Sequence, residues 1–192
     1  RFGIPLFIEK PPGLSTKETK ELADLAEGHG VANMVGFNRR YYSVFHKGLE
    51  KIKDHGALLG VAIEGHERFW KIADQVSPLI RGHWIYANST HTIDLLRFFG
   101  GEPTEVHSLT NSHIETGGDQ FSATMRFESG ALGNYSSHWY SPGGWAVRLF
   151  GEGVTFEFKP LENARWTGEV ETLHARDLHD RALGGEVAHQ AD

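Results

Sequence analysis

Two short stretches of this sequence carry residue types that can move protons. The first is Glu9-Lys10-Pro11, placed directly behind the apolar run Ile4-Pro5-Leu6-Phe7-Ile8. Such a run reads as a strand buried on both faces. In an open α/β sheet, ligands sit beyond the carboxyl ends of the strands, so a lysine and a glutamate at that point are well placed for one. A free lysine, with a pKa of about 10.4, is a poor base near neutrality. Partial burial or a nearby positive charge lowers it. The blander reading is strand punctuation, a solvated charge pair before a proline turn. The second stretch is Asn88-Ser89-Thr90-His91-Thr92-Ile93-Asp94-Leu95-Leu96. His91, Asp94 and Leu95 share one helical face by their i, i+3, i+4 spacing. A histidine near a helix start can serve as acid or base near neutral pH, and Asp94 can orient it or accept a bond from a backbone group nearby. The alternative is a structural histidine tucked under a sheet.

The surrounding pattern supplies the elements that would position these groups. Ser15 reads as an N-cap and Glu18 completes a capping box. The helix behind it carries Leu22, Leu25 and Ala26 on one face, and Gly28-His29-Gly30 stops it. Val31 to Phe37 is a second apolar strand. Strand, helix and strand in this order imply parallel strands with a helical crossover, the trailing part of a doubly wound sheet. A helix from Tyr41 to about His55 then reads as a bridge. From Gly56 the texture changes. Leu58 to Ile63 and Ile80 to Tyr86 read as strands, and Asn88 to Phe99 as a helix capped by Asn88 or Ser89 and ended by Gly100-Gly101. Phe121, Ala123, Met125 and Phe127 alternate with polar residues; Ala131–His138, Trp145–Leu149 and Val154–Phe158 follow, joined by glycine turns. Period-two patterns joined this way predict an antiparallel meander. The expected architecture is α/β plus α+β: a dinucleotide-binding remnant over residues 1–55, then a large open, mostly antiparallel sheet with helices on one face over residues 56–192.

Composition excludes several classes. The 192 residues are 39% hydrophobic and 23% charged, which is ordinary for a globular protein and unlike a disordered one. A net charge of −6 with no basic cluster beyond Arg39-Arg40 argues against nucleic acid as partner. There are no cysteines, which removes disulfides, thiolate metal sites and cysteine nucleophiles. The twelve histidines are scattered with no H-x-x-x-H or H-E-x-x-H pair, so no metal site is expected. No apolar run approaches the ~20 residues of a membrane span. These features lead to the expectation of a cytoplasmic protein. The chain opens on Arg1 with a strand-like run almost at once, and its last residues read as a helix just begun; both ends are expected to be cut from a longer chain.

Taken together, Phe7-Ile8-Glu9-Lys10-Pro11, Gly36-Phe37-Asn38-Arg39-Arg40-Tyr41-Tyr42, and His91-Thr92-Ile93-Asp94-Leu95-Leu96 with Gly100-Gly101 resemble the Gfo/Idh/MocA family of nicotinamide-dependent oxidoreductases. The resemblance implies a Rossmann domain followed by an α+β substrate domain, with NAD or NADP as cofactor. It implies that Lys10 matches a lysine near the nicotinamide and substrate, with Glu9 and Pro11 as its cofactor-side neighbours, and that the peptide before Pro11 is cis. It implies that His91 matches the active-site histidine. On this reading His91 is the acid/base, Lys10 polarises and orients the reacting oxygen, and Arg40, Tyr42, Asn88 and Asp94 are candidates for substrate contacts. The substrate would be a sugar, polyol or related hydroxy compound, for which Trp139 and Trp145, flanking Pro142-Gly143-Gly144, offer stacking surfaces.

Two departures stand against the pattern. No G-x-G-x-x-G occurs; Gly151-Glu152-Gly153 runs on into Val154-Thr155-Phe156 within a hairpin. The phosphate-binding turn is therefore missing, and weak or absent cofactor binding and no activity are expected of this chain alone. Many dehydrogenases of the family carry an aspartate four residues before the histidine, where this chain has Ala87. The alternatives are a non-catalytic ligand-sensing or regulatory protein of the same fold, or a module that dimerises through its sheet. A homodimer through the open sheet is expected in either case.

Overall fold

The computed structural model describes residues 3–168 and the backbone of residues 172–174. At the start, β1 (Leu6–Ile8) and β2 (Asn33–Val35) pair in parallel, with Leu6 opposite Asn33 and Ile8 opposite Val35. Between them runs α1 (Thr16–Gly28). Ser15 caps it by accepting from Glu18 N–H at 3.1 Å, and Glu18 Oε2 accepts from Leu14 N–H at 2.8 Å. The capping box is thus present, with its return bond one residue earlier than the standard pattern. The expectation of full burial for β1 does not hold: Leu6 is 50% and Phe7 69% exposed. The reason is that only α1 and β2 flank this strand among the described residues, so its apolar run has too little to pack against.

The larger sheet has eight strands: β3 (Leu58–Gly65), β4 (Pro103–Asn111), β5 (Gln120–Phe127), β6 (Leu132–His138), β7 (Trp145–Gly151), β8 (Val154–Phe158), β9 (Asn163–Thr167) and β10 (Thr172–His174). Their order is β10-β9-β8-β7-β3-β6-β5-β4. Only β3 and β6 pair in parallel; every other neighbouring pair is antiparallel. One face is covered by α2 (Ser43–His55) and α4 (Thr90–Gly100). Val44, Phe45 and Ile52 of α2 and Leu95, Leu96 and Phe99 of α4 are buried with Val61, Ile63, Val147, Leu149, Phe156 and Phe158 from the strands. The helix read as a bridge, α2, therefore belongs to the core of the large sheet. Contact is close at the end of α4: a Cβ on Gly100 would lie 2.3 Å from the Phe127 ring, so only glycine fits there.

The alternating set Phe121, Ala123, Met125 and Phe127 packs on this helix side. The opposite face is mostly polar, with Leu132 and Phe150 exposed on it. Residues paired across strands share a face, and one row runs His107, Thr124, Asn134, Ala62, Arg148, Glu157 and Arg165 through β4, β5, β6, β3, β7, β8 and β9. The apolar alternation thus faces the helices, not the open side.

The segment Ile80 to Tyr86, expected as a strand, is helical. Ser77 caps α3 (Pro78–Gly82), its Oγ accepting from Ile80 N–H, and Pro78 occupies the first turn, a start signal that outweighs the β-prone residues behind it. A single wide π-helical turn, Ile85–Ser89, then leads straight into α4. Strand β4 escapes the sequence reading because its residues do not alternate cleanly, and β9 because its alternation, Ala164 and Trp166 between polar residues, is only five residues long.

Candidate active site

The site forms where the carboxyl end of β1, the turn after β2 and the start of α4 meet. The strand end delivers Lys10, and the Lys10–Pro11 peptide is cis. The Lys10 ammonium donates to the carbonyl oxygen of Ala87 in the π turn, one turn before His91. His91, the second residue of α4, is 7% exposed. Its ring lies edge-on to Phe37 at 6.3 Å and beside Trp145 at 6.0 Å.

These neighbours set the chemistry. Burial pushes His91 down to about 4, and the charges of Lys10 and Arg39 push the same way. The imidazole is neutral near pH 7 and free to accept a hydrogen bond or a proton. Lys10 is also lowered, chiefly by burial and further by Arg39, while Glu9 and Glu67 hold it up. Desolvation acts against the charged form of both groups. The two are electrostatically linked although they come from distant parts of the chain.

Asp94 does not orient His91. Its carboxylate forms a bidentate pair with Arg40, both bonds at 2.6 Å, which ties the 3₁₀ turn Asn38–Tyr41 to α4. Tyr42 points elsewhere and donates to Glu162 Oε1 at 3.0 Å. Nor does Asn88 cap α4. Its amide donates to both carboxylate oxygens of Glu67 at 2.9 Å, because the π turn keeps position 88 inside the helical path. Glu9 is exposed beside Lys10.

Two residues were missed by the sequence reading, Glu67 and Arg39. Glu67 follows β3, is 8% exposed, and also accepts from the Trp84 indole N–H at 3.2 Å. Arg39 lies over the Trp145 and Tyr42 rings at 5.7 and 5.2 Å. Trp145 itself lines the site, as the position of the glycine-rich loop suggested; Trp139 is instead buried in a small cluster with Phe69 and Trp84. Only the pairing of strands places Glu67 here, so no local signal marks it.

A nicotinamide cofactor can be tested against these residues. Buried polar atoms of Arg39 (Nε) and His91 (Nδ1) have no hydrogen-bond partner among the described residues. Polar atoms of this kind, beside a partly buried lysine at a strand end, suit the ring end of a dinucleotide and a hydroxylated substrate. The fit is to that end of the cofactor.

Comparison with known proteins bears on the family and the fold. Residues 61–157, about half of the chain, match the GFO/IDH/MocA C-terminal domain. The chain is 25% identical over 179 residues to D-xylose 1-dehydrogenase (NADP(+)) 2 of Haloferax volcanii, covering 91% of this chain and 55% of that protein. It is 29% identical over 158 residues to scyllo-inositol 2-dehydrogenase (NAD(+)) of Bacillus subtilis, covering 76% and 45%. Among solved structures, levoglucosan dehydrogenase in complex with NADH and levoglucosan superposes with a TM-score of 0.75 at 19% identity, over 90% of this chain and 55% of that one. The chain thus spans about half the length of the relatives it matches. The match over the sheet and the shared architecture show that the chain belongs to the GFO/IDH/MocA family of oxidoreductases.

Proposed function

We propose that this chain is part of an NAD- or NADP-dependent dehydrogenase that oxidises a sugar, polyol or related hydroxy compound. Residues 1–55 would close the cofactor domain, with its last helix α2 packed on the large sheet, and residues 56–192 would form the substrate domain. The observation that supports this reading is that the Lys10 ammonium is bonded to the Ala87 carbonyl, one turn before His91, and that its charge acts on the His91 ring. The named relatives that act on D-xylose and scyllo-inositol support the substrate class.

The nicotinamide ring, when bound, takes up the hydride released from the carbinol carbon. Lys10 would hold the substrate oxygen through its N–H donors and stabilise negative charge developing there. His91, neutral at physiological pH, would accept the hydroxyl proton. Glu9, Lys10 and Pro11 would border the ring, and Asn88 would lie within reach of the substrate. Arg40, Asp94 and Tyr42 already hold protein partners, so their part would be to shape the cleft. A cytoplasmic setting is part of this proposal, and among the described residues no helix is long and apolar enough to cross a membrane.

The test is to supply the full-length gene product with NAD or NADP and a panel of pentoses, hexoses and inositols, and to follow reduction of the nicotinamide. Turnover that is lost in both Lys10→Ala and His91→Ala supports the reading. Turnover that survives both substitutions, or no turnover with any hydroxy compound, overturns it.

A homodimer through the open face of the sheet is part of the same proposal. That face is uncovered, and its polar row is no obstacle, since interfaces are about as apolar as other surface. Arg148→Glu would place like charges beside Glu157 in that row. Light scattering should show dimers for the native chain and a shift toward monomers for the variant; a native monomer at high concentration rules the dimer out.

A further inference from the structure

The Ala87–Asn88 peptide is gripped from two sides. Lys10 donates to the Ala87 carbonyl, and the Asn88 side chain donates to Glu67, which also accepts from the Trp84 indole. Glu67 is buried, and these donors are neutral. A buried carboxylate held by neutral groups alone is costly to a fold. The charge that meets it belongs to Lys10, across the gripped peptide.

We propose that Glu67 is a positioning residue for Lys10: its carboxylate is the buried counter-charge of the Lys10 ammonium, and through Asn88 it aligns the turn that presents His91. This rests on the reading of Lys10 and His91 as the working pair. Ala87 offers no acid of its own, and Glu67 reaches the same peptide from β3. Lys10 is faced by Glu9 at its own strand end, by Arg39 from the turn after β2, by His91 from α4 and by Glu67. Tyr135 from β6 also lies in the field of Glu67. Glu9 has the larger effect on Lys10, but it is exposed, where salt screens it. Glu67 is shielded, so its influence persists in salt. Burial raises Glu67 above its ordinary value, with Asn88 and Trp84 holding it down.

Glu67→Gln keeps the shape and removes the charge. The Lys10 titration can be followed by NMR on the reductively 13C-methylated protein, its signal assigned by its loss in Lys10→Arg. At high salt the Lys10 midpoint should fall by about one pH unit in Glu67→Gln and much less in Glu9→Gln. Glu67→Asp, which keeps a charge, should restore most of the native midpoint and keeps the test decisive if the amide variant does not fold. In the full-length enzyme Glu67→Gln should lower kcat about tenfold or more, with the pH profile displaced and KM for the cofactor unchanged. An unmoved Lys10 midpoint in a folded Glu67→Gln protein, or equal falls for Glu9→Gln and Glu67→Gln at high salt, overturns the inference. The titration needs no substrate: a Lys10 that responds to Glu67 in a protein with no turnover leaves this inference standing while the dehydrogenase reading fails.

Discussion

Lys10 donates its side-chain hydrogen bond to the backbone carbonyl of Ala87, 77 residues further along the chain. The bond joins the end of β1 to the turn that opens into α4. Neither residue does this through local sequence preference: a lysine after a strand normally goes to solvent. The contact fixes where the ammonium stands relative to His91.

The first expectation follows from that contact. Lys10→Ala removes one partly exposed hydrogen bond, worth about 1 kcal/mol net, so the melting temperature should change by a few degrees at most. In the full-length enzyme, loss of a group that polarises the reacting oxygen should lower kcat by about a hundredfold or more. Thermal melts and steady-state kinetics on the same preparation separate the two. A variant that melts early and turns over normally would make Lys10 a structural residue.

His91 gives a pH dependence of known sign. Its folded value of about 4 lies below the unfolded value of 6.5. The fold therefore favours the neutral ring, and the unfolded chain binds the proton first as pH falls. The stabilisation is fully present above about pH 6.5 and is lost progressively down to about pH 4, a change on the order of 2–3 kcal/mol. His91→Gln should flatten this part of the stability profile measured by urea unfolding. An NMR titration of the His91 ring that returns an ordinary midpoint near 6.5 would contradict it.

Much of this architecture was legible in the residues. Ser15 and Glu18 announced α1, and the alternation from Phe121 to Phe127 announced a strand, because capping and period-two burial are local patterns. Lys10 and His91 were legible for a different reason: each stands at an element end where ligands gather. Glu67 was not legible, since an acid after a strand looks solvated until β3 is seated against β6 and β7. Ile80 to Tyr86 was misread because isoleucine, tryptophan and tyrosine favour strands, whereas Ser77 and Pro78 start a helix and the bidentate Arg81–Glu115 pair at 2.7 and 2.8 Å then holds it. Asp94 was read as a partner for His91 from helical spacing alone. Spacing gives the face of a helix but not which neighbour, here Arg40, comes to it from another element.

That pair carries its own expectation. Asp94 and Arg40 make two short charge-assisted bonds, and the Asp94 side chain is only 10% exposed. Asp94→Asn should cost about 1–3 kcal/mol, read as a melting temperature lower by several degrees, with KM for a sugar substrate nearly unchanged. A variant with native stability and a raised KM would instead identify Asp94 as a direct substrate contact.

The last expectation concerns the cofactor and this chain by itself. Dinucleotides are held chiefly by their pyrophosphate, which lies against backbone N–H groups of a glycine turn at a helix N-terminus. The sequence has no G-x-G-x-x-G. The helix after β1 is a poor stand-in for one, because Ser15 takes the Glu18 N–H, the Glu18 carboxylate takes the Leu14 N–H, and the Glu18 charge there repels phosphate. On the proposed reading what remains is the ring end, which Lys10 and His91 would border. Contacts of that kind support millimolar binding, about 4 kcal/mol. Calorimetry with NAD and NADP should therefore give dissociation constants near or above the millimolar range. Nicotinamide mononucleotide, which lacks the pyrophosphate bridge, should bind about as well as the whole dinucleotide and should perturb the His91 ring signals in NMR. Micromolar affinity for either dinucleotide, or a mononucleotide far weaker than the dinucleotide, would mean that this chain holds the pyrophosphate by residues other than a glycine turn.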